Sequence, residues 1–342
     1  MSKLQSPIIL FCSERSGSNL ITKMLDADSS ICGPGACHLF RVIGEFSNRF
    51  SRNDLELKEA VLHLFRLKSS VWKIDNFTHD SLLNKLKKCE TPAEMVAALY
   101  QAELEAHNKK VLVIKENSAY QYLYFMREVL SKPRFLFMVR DPRGMAASWK
   151  ASALVRGGVV RAVNVWIADQ AGYLRAQSQF PKNTNISFLR YEDLVVKPSD
   201  MLTKVCSELG LAYSDNMVHF NKHSESAIAD AARSPMWANL ESSVSDKSIF
   251  RFKKELDSNE IAYINFRCKE FMTLFGYPPY TKEDSQFGEF TNWEDLKKYI
   301  ESNEPDEKPE YISIREDIRR RFENWSSFYK ELKARPIVFK RG

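Results

Sequence analysis

The sequence lacks the features that mark several large classes of protein. Its six cysteines are irregularly spaced along 342 residues and form no C-x-x-C pair, so neither a disulfide framework nor a structural zinc site is expected. The longest apolar run near the start, Pro7 to Cys12, is too short to cross a bilayer and does not have the pattern of a secretory signal. These absences predict a cytoplasmic protein without a membrane span.

A strong charge of one sign is also missing. Lys and Arg number 50 against 44 Asp and Glu, a formal excess of +6. An excess this small suits an anionic small molecule and argues against a nucleic-acid partner. The chain also lacks the G-x-x-x-x-G-K-[ST] loop of nucleotide triphosphatases and the G-x-G-x-x-G turn of dinucleotide-binding proteins.

Four short apolar runs are each followed by a polar loop and then by helical spacing of apolar residues. The runs are Pro7–Cys12, Val111–Ile114, Arg134–Val139 and Asn185–Arg190. Short apolar strands that alternate with amphipathic helices predict an α/β fold, a three-layer sandwich with a central parallel sheet. In such sheets ligands bind at the carboxyl ends of the strands, where the four polar loops converge.

The composition divides the chain into two parts. Residues 1–280 carry the strands and are expected to form one domain, in which residues 46–110 are a largely helical insertion. Residues 257–275 are expected to form one helix, which ends at Gly276. Residues 281–342 are rich in Glu, Lys, Asp and Arg and are expected to be a charged helical extension.

The first polar loop has the composition of an anion site. Residues 12–20 read C-S-E-R-S-G-S-N-L and join a strand to the start of a helix, where unpaired backbone N–H groups and the helix dipole attract phosphate. Gly17 allows close approach of the backbone, Ser16 and Ser18 supply hydroxyl donors, and Arg15 supplies a planar charged fork. A tight turn capped by one of the serines is the alternative interpretation.

A second polar loop repeats the arrangement in mid-chain. Residues 140–148 read R-D-P-R-G-M-A-A-S, with Arg140 at the end of a strand and Ser148 in the helix that follows. A bend at Asp141 and Pro142 would bring both side chains toward one anion. The alternative is a surface pair of Arg140 and Asp141 beside an inert helical serine.

These motifs resemble those of a known family. The R-S-G-S loop, the R-D-P-R-x-x-x-x-S segment, Tyr191-Glu-Asp-Leu194 and the stretch Phe250–Leu256 are similar, in this order, to segments of bacterial-type sulfotransferases, over about residues 6–280. The resemblance implies a P-loop-like sandwich that takes the sulfuryl group from 3′-phosphoadenosine 5′-phosphosulfate (PAPS). Adenosine 3′,5′-bisphosphate (PAP) would be the other product, and no metal would be needed. A hydroxyl or amine of a small molecule, a sugar or a lipid would be the acceptor.

The resemblance also implies roles for individual residues. The loop residues Arg15, Ser16, Gly17, Ser18 and Asn19 would hold the 5′-phosphosulfate. Arg140 and Ser148 would hold the 3′-phosphate, which distinguishes this donor from ATP. Tyr191 would lie against the nucleotide, and Arg251 would add a contact to the 3′-phosphate, although the Arg-Lys-Gly of phenol-type and steroid-type members is absent around it.

Sulfuryl transfer resembles phosphoryl transfer, so catalysis is expected to depend on positioning and on stabilisation of the leaving oxygen. Arg15 would stabilise the departing phosphate. Lys115, at the end of a predicted strand, would do so from the other side. An alternative for Lys115 is a side chain that extends along the rim of the sheet with no catalytic part.

A base must take the proton of the acceptor, and two residues are candidates. Carbohydrate-type members carry a glutamate two residues before a histidine, but Ala36 stands at that position and leaves His38, whose ordinary pKa of ~6.5 suits proton abstraction. Glu116 is the alternative. Phenol-type members have a histidine where Asn117 stands, so that base is missing here.

Two other functions are compatible with these segments. One is a nucleotide-dependent phosphotransferase, which would use a similar strand–loop–helix cradle. The other is a non-catalytic nucleotide-binding scaffold that acts through the charged extension.

Overall fold

The computed structural model describes residues 3–46, 55–68, 72–152, 155–233, 240–281 and 292–304, together with residues 290, 327, 330, 331 and 333–335. The expected helical extension over 281–342 lies mostly outside these residues. Its described part contains one helix, Trp293–Ser302.

The centre of the molecule is a parallel sheet. The strands among the described residues are β1 (Leu4–Gln5), β2 (Ile8–Phe11), β3 (Ile31–Cys32), β4 (Val111–Lys115), β5 (Leu130–Ser131), β6 (Arg134–Val139) and β7 (Ile186–Arg190). Five of them form the main sheet in the order β3-β4-β2-β6-β7, with every neighbouring pair parallel. The short strands β1 and β5 pair separately. The predicted fold class is confirmed.

Helices connect the strands and cover the sheet. In the described residues they are α1 (Ser18–Asp26), α2 (Leu39–Phe46), α3 (Leu55–Lys68), α4 (His79–Lys87), α5 (Pro92–Ala106), α6 (Leu123–Val129), α7 (Pro142–Lys150), α8 (Val159–Gln177), α9 (Tyr191–Val196), α10 (Pro198–Leu209), α11 (Phe220–His223), α12 (Glu225–Arg233), α13 (Phe252–Glu255), α14 (Ser258–Arg267), α15 (Lys269–Leu274) and α16 (Trp293–Ser302). No helix of this described part is long and apolar enough to cross a membrane.

The central strand β2 shows why the sheet is covered on both faces. All four of its residues are buried. Ile9 and Phe11 belong to one apolar core, and Ile8 and Leu10 belong to a second core. Because successive side chains of a strand point to opposite faces, the two cores lie on opposite sides of the sheet, which gives the three layers.

Two local predictions are wrong. The predicted loop at Tyr191–Leu194 is the first part of helix α9, because Tyr191, Leu194 and Val195 are buried at the spacing of one helix face. The predicted single helix over 257–275 is divided into α14 and α15 at Cys268, whose backbone leaves helical geometry at φ −98° and ψ 3°.

A buried polar network joins α1 to the loop that follows β3. The Asp26 carboxylate accepts hydrogen bonds from the Gly33 N–H (2.8 Å), the Ser224 hydroxyl (2.6 Å), the Ser226 hydroxyl (2.7 Å) and the Lys109 ammonium (3.1 Å). Burial by itself would raise the pKa of Asp26, but the two lysines at positions 109 and 23 and the hydroxyls hold that pKa below its ordinary value. The network fixes the start of the loop that carries His38.

Substitution Asp26→Asn is expected to lower the free energy of unfolding by about 3 kcal/mol, because it leaves buried lysine charge without its counterion. Urea unfolding at pH 7 measures the change. A carboxylate with a lowered pKa stabilises the fold above its unfolded pKa of ~3.9 and loses this effect as the pH falls. The difference between the proteins should therefore shrink below about pH 4.

Asp28→Asn is the matched control, because Asp28 accepts only local hydrogen bonds, from Ser30. Its cost is expected to stay below ~1 kcal/mol. Equal losses of unfolding free energy in the two variants would contradict a stabilising role of the Asp26 network.

Candidate functional site

The first polar loop connects β2 to α1 at the carboxyl end of the central strand. Gly17 precedes α1 with φ +90°, in the left-handed region, and no side chain caps the first turn. A Cβ at Gly17 would lie 2.6 Å from Cε2 of the Tyr191 ring, so glycine is required both by the turn and by this contact. The Ser16 hydroxyl is buried without a hydrogen-bond partner among the described residues. The loop thus contains a buried hydroxyl that is available to a ligand.

Arg140 stands at the end of β6, as predicted, and is 7% exposed. Its guanidinium donates to the carbonyl oxygens of Arg15 (2.9 Å) and Ser248 (3.2 Å) and lies 4.5 Å from the centre of the Tyr191 ring. Its Nε is buried and has no hydrogen-bond partner among the described residues. Buried guanidinium donors are normally satisfied, so this atom is suited to an anion.

The two polar segments meet. Nε of Arg15 donates to the Ser148 hydroxyl at 3.2 Å, although 133 residues separate them. Burial lowers the pKa of Arg15, and the charges of Arg140 and Arg251 lower it further. Like charges held together away from water are unfavourable unless an anion joins them. The arrangement can therefore bind a strongly anionic ligand.

Arg251 lies at the margin of this cluster. Its side chain is exposed and is hydrogen-bonded to Glu255, with 2.8 Å from Nε to Oε1. Its charge is near enough to Arg15 to help lower the pKa of that residue. Ser248, in contrast, was not identified from the sequence, yet its hydroxyl is 2.7 Å from the Tyr191 hydroxyl. A serine within the polar stretch S-V-S-D-K-S carries no signal of its own.

Lys115 reaches the phosphate loop from the neighbouring strand. It ends β4, which pairs with β2, and its ammonium donates to Oδ1 of Asn19 at 2.5 Å. The next turn is held in the same way, because Nδ2 of Asn117 donates to Oε1 of Glu14. Lys115 and Asn19, predicted separately, are thus in direct contact.

The two candidate bases occupy different environments. His38 is half-buried, adopts φ +53° and directly precedes α2. Glu116 is 1% exposed, and its Oε1 accepts the N–H of Arg41, in the first turn of α2, at 3.0 Å. The Glu116 carboxylate therefore anchors the start of the helix that follows His38.

Helix α8 braces three of these loops with one face, which the sequence analysis missed. Its residues 166, 169, 170 and 173 recur at the spacing of one helix face. Trp166 Nε1 donates to the Arg140 carbonyl (3.0 Å), and the Tyr173 hydroxyl donates to the Cys12 carbonyl (3.2 Å). Gln170 Nε2 donates to the Ser13 hydroxyl (3.0 Å), and the Asp169 carboxylate accepts from the Ser118 hydroxyl (3.2 Å). Burial raises the pKa of Asp169 to about 7.

A separate cluster of possible metal ligands lies away from these loops. Within the described ranges, Cys32, Glu103 and His107 place their ligand atoms within 4.8 Å of one another. Glu103 already accepts the N–H groups of Lys73 (2.9 Å) and Ile74 (3.0 Å), and its Oε1 is 3.0 Å from Nε2 of His107. These hydrogen bonds are enough to explain why the Glu103 carboxylate is buried.

Comparison with solved structures shows the same fold. The sulfotransferase domain from the Synechococcus PCC 7002 olefin synthase matches with a TM-score of 0.59 and 20% identity, over 81% of this chain and 96% of that one. The sulfotransferase domain from the curacin biosynthetic pathway matches with a TM-score of 0.55 and 17% identity, over 81% and 99%. No curated protein sequence matches the chain.

A family model carries the assignment beyond fold. The model of the sulfotransferase family matches residues 7–215. This range holds both arginine-bearing segments, the strand that ends in Lys115, and Tyr191. The chain belongs to the sulfotransferase family.

Proposed function

We propose that this sulfotransferase uses PAPS as its donor, releases PAP and sulfates a hydroxyl or amine. The observation that carries the proposal is the pair of buried donors, Ser16 Oγ and Arg140 Nε, without hydrogen-bond partners in the described part of the chain. They lie in the two segments whose arginines meet. A nucleotide with phosphate on both the 5′ and the 3′ carbon would satisfy both donors and neutralise the paired guanidinium charges.

The two segments would divide the donor between them. The unpaired N–H groups at the start of α1, with the loop residues Arg15, Ser16, Gly17, Ser18 and Asn19, would hold the 5′ phosphosulfate. Arg140 would bind the 3′-phosphate, and Ser148 would join it once Arg15 turns from its hydroxyl to the donor. The ring of Tyr191 would lie against the nucleotide, and Arg251 would add positive charge at the edge of the site.

PAPS would supply an activated sulfuryl group, bonded to a phosphate that leaves as a stable anion. Arg15 and Lys115 would stabilise the negative charge that develops on the leaving oxygen. Of the two candidate bases, the geometry favours His38, because Glu116 is buried and holds the Arg41 N–H. His38 would accept the proton of the acceptor hydroxyl or amine at a ring nitrogen.

The acceptor is proposed to be a small molecule, with a sugar or a lipid as alternatives. The structural neighbours named above are domains of biosynthetic enzymes, which supports a small organic acceptor. Residues 1–280 would form the transferase unit, with the helices between positions 46 and 110 on the acceptor side. The protein is proposed to act in the cytoplasm.

A panel of nucleotides tests the donor. Thermal stabilisation by PAP, with little or none by adenosine 5′-phosphate or ATP, is the expected result, because only the bisphosphate reaches both segments. A labelled sulfuryl donor offered with a metabolite extract should then label an acceptor, which mass spectrometry identifies. Stabilisation by ATP alone would favour a phosphotransferase, and binding of PAP without any transfer would favour a scaffold.

Substitution Gly17→Ala is expected to weaken PAP binding at least 30-fold, about 2 kcal/mol, because the added Cβ would collide with the Tyr191 ring. Isothermal titration calorimetry measures the affinity. Gly210→Ala is the matched control, since Gly210 also has a positive φ of 65° but its Cβ would meet no atom closer than 3.5 Å. Similar affinity losses in both variants would refute the ring-contact argument.

Substitution His38→Ala is expected to lower turnover by ~100-fold or more, the usual contribution of a general base, and to change PAP affinity less than twofold. Transfer of labelled sulfuryl to the acceptor fraction measures turnover. Glu116→Gln keeps an oxygen for the Arg41 N–H and should retain most activity. His219→Ala, at an exposed histidine, is the control. Full activity of His38→Ala would show that another residue acts as the base.

A further inference from the structure

Asp169 is a buried carboxyl that the proposed reaction does not use. It is 2% exposed and lies on α8 behind the phosphate loop. Its carboxylate accepts a hydrogen bond from the Ser118 hydroxyl at 3.2 Å, and the nearby hydroxyls of Ser13 and Tyr120 favour its ionised form. Ser13 belongs to the phosphate loop, and the other two follow Lys115. The carboxylate therefore contacts the loop that follows Lys115, and its neighbour Gln170 contacts the phosphate loop through Ser13.

The charged side chain with the largest effect on this carboxyl is itself acidic. Glu14 of the phosphate loop lies near it and disfavours its ionisation. The other titratable groups that face it are the Cys12 thiol, Tyr120 and, on α8 itself, Tyr173. Two cations, Lys115 and Arg140, act on the same Cys12 thiol that Asp169 faces. Because burial dominates, its pKa is about 7, and both protonation states are accessible near neutrality.

An anion that enters the phosphate loop adds negative charge on the other side of Ser13. Repulsion between charges in a poorly solvated region is strong, and it favours the protonated form of a carboxyl whose two states are close in free energy. The Ser118 hydroxyl can rotate, so it can change from donor to acceptor when the carboxyl gains a proton. Protonation therefore needs no movement of the backbone.

We propose that donor binding takes up one proton at Asp169: the carboxylate accepts H⁺ from solvent and forms an O–H bond as the anionic 5′ end of the nucleotide enters the loop. By thermodynamic reciprocity, ionised Asp169 weakens donor affinity by the same factor by which the donor favours protonation. Asp169 thus makes donor affinity sensitive to pH near neutrality. The inference rests on the proposed donor.

Asp169→Asn provides the test, because asparagine has the size of the protonated carboxyl and cannot ionise. The affinity for PAP is measured by calorimetry from pH 6 to pH 8.5 in both proteins, so that titration of the ligand's own phosphates cancels in the ratio. The two proteins should bind alike at pH 6, and the variant should bind about tenfold more tightly at pH 8.5, a typical coupling between two sites. At pH 7.5, buffers of different ionisation enthalpy should show greater proton uptake by the unsubstituted protein.

A purely structural role for Asp169 gives the opposite result. The variant would then bind PAP more weakly by a constant factor at every pH, which would overturn the inference. Equal affinity at every pH would overturn it too. If PAP bound neither protein at any pH, the proposed donor itself would fail, and the inference with it.

Two further variants test the proposal without relying on Asp169→Asn alone. Ser118→Ala removes a hydroxyl that favours the ionised form, so the loss of affinity should move to higher pH. Glu260→Gln changes another buried carboxyl of raised pKa, which bonds Lys150 at 2.6 Å outside both loops, and it should follow the unsubstituted protein.

Folding of Asp169→Asn is checked by its melting temperature. A carboxyl whose folded pKa is raised destabilises the fold progressively as the pH rises from its unfolded pKa of ~3.9 to its folded pKa. The variant should therefore melt higher than the unsubstituted protein at pH 8.5, and the two should melt alike near pH 4. A lower melting temperature at both pH values would show that the variant disturbs the loops, and Ser118→Ala would then decide.

Discussion

The site depends on two guanidinium groups that the fold holds beside one another. Arg15 and Arg140 come from loops after adjacent strands, and Arg140 donates to the carbonyl of Arg15. Burial of Arg15 lowers its pKa, and the charge of Arg140 lowers it further. The rest of the fold must compensate for this unfavourable pair. An anion with charge at two points would remove the repulsion and satisfy the buried donors, which is the basis for proposing a bisphosphate nucleotide as ligand.

The compensation is visible in the packing around the pair. The ring of Tyr191 lies under Arg140 and against Gly17, and Trp166 donates to the Arg140 carbonyl. Helix α8 also fixes the backbone and side chains of the first loop. The large apolar cores on both faces of the sheet stabilise the fold and so compensate for a polar, strained site, as is common for functional sites. The Asp26 network likewise stabilises the segment that leads to His38.

Much of this arrangement could be predicted from the sequence. The strands and the loops at their ends followed from short apolar runs, and the convergence of Arg15, Arg140 and Lys115 followed from the rule that parallel strands end at one edge. The family model confirms the predicted family. The individual roles of the site residues stay predictions.

Other features had no local signal. Ser248 contacts the site because of how the chain folds back 108 residues after Arg140, and no spacing rule foresees this. Asp169 looks like an ordinary polar position in an amphipathic helix. Helix α9 was missed because its six residues are too short for periodicity to separate a helix from a polar turn. Long-range packing determines all three.

The proposed function requires Arg140 to bind an anion. The most direct test compares PAP affinity, by calorimetry at pH 7, in Arg140→Ala and Arg190→Ala. Arg190 is a fair comparison because it also lies over a ring, that of Tyr277 at 4.8 Å, yet belongs to neither segment. The affinity should fall at least tenfold in the first variant, about 1.4 kcal/mol, and change little in the second. Unchanged affinity in Arg140→Ala, or equal losses in both, would contradict this requirement.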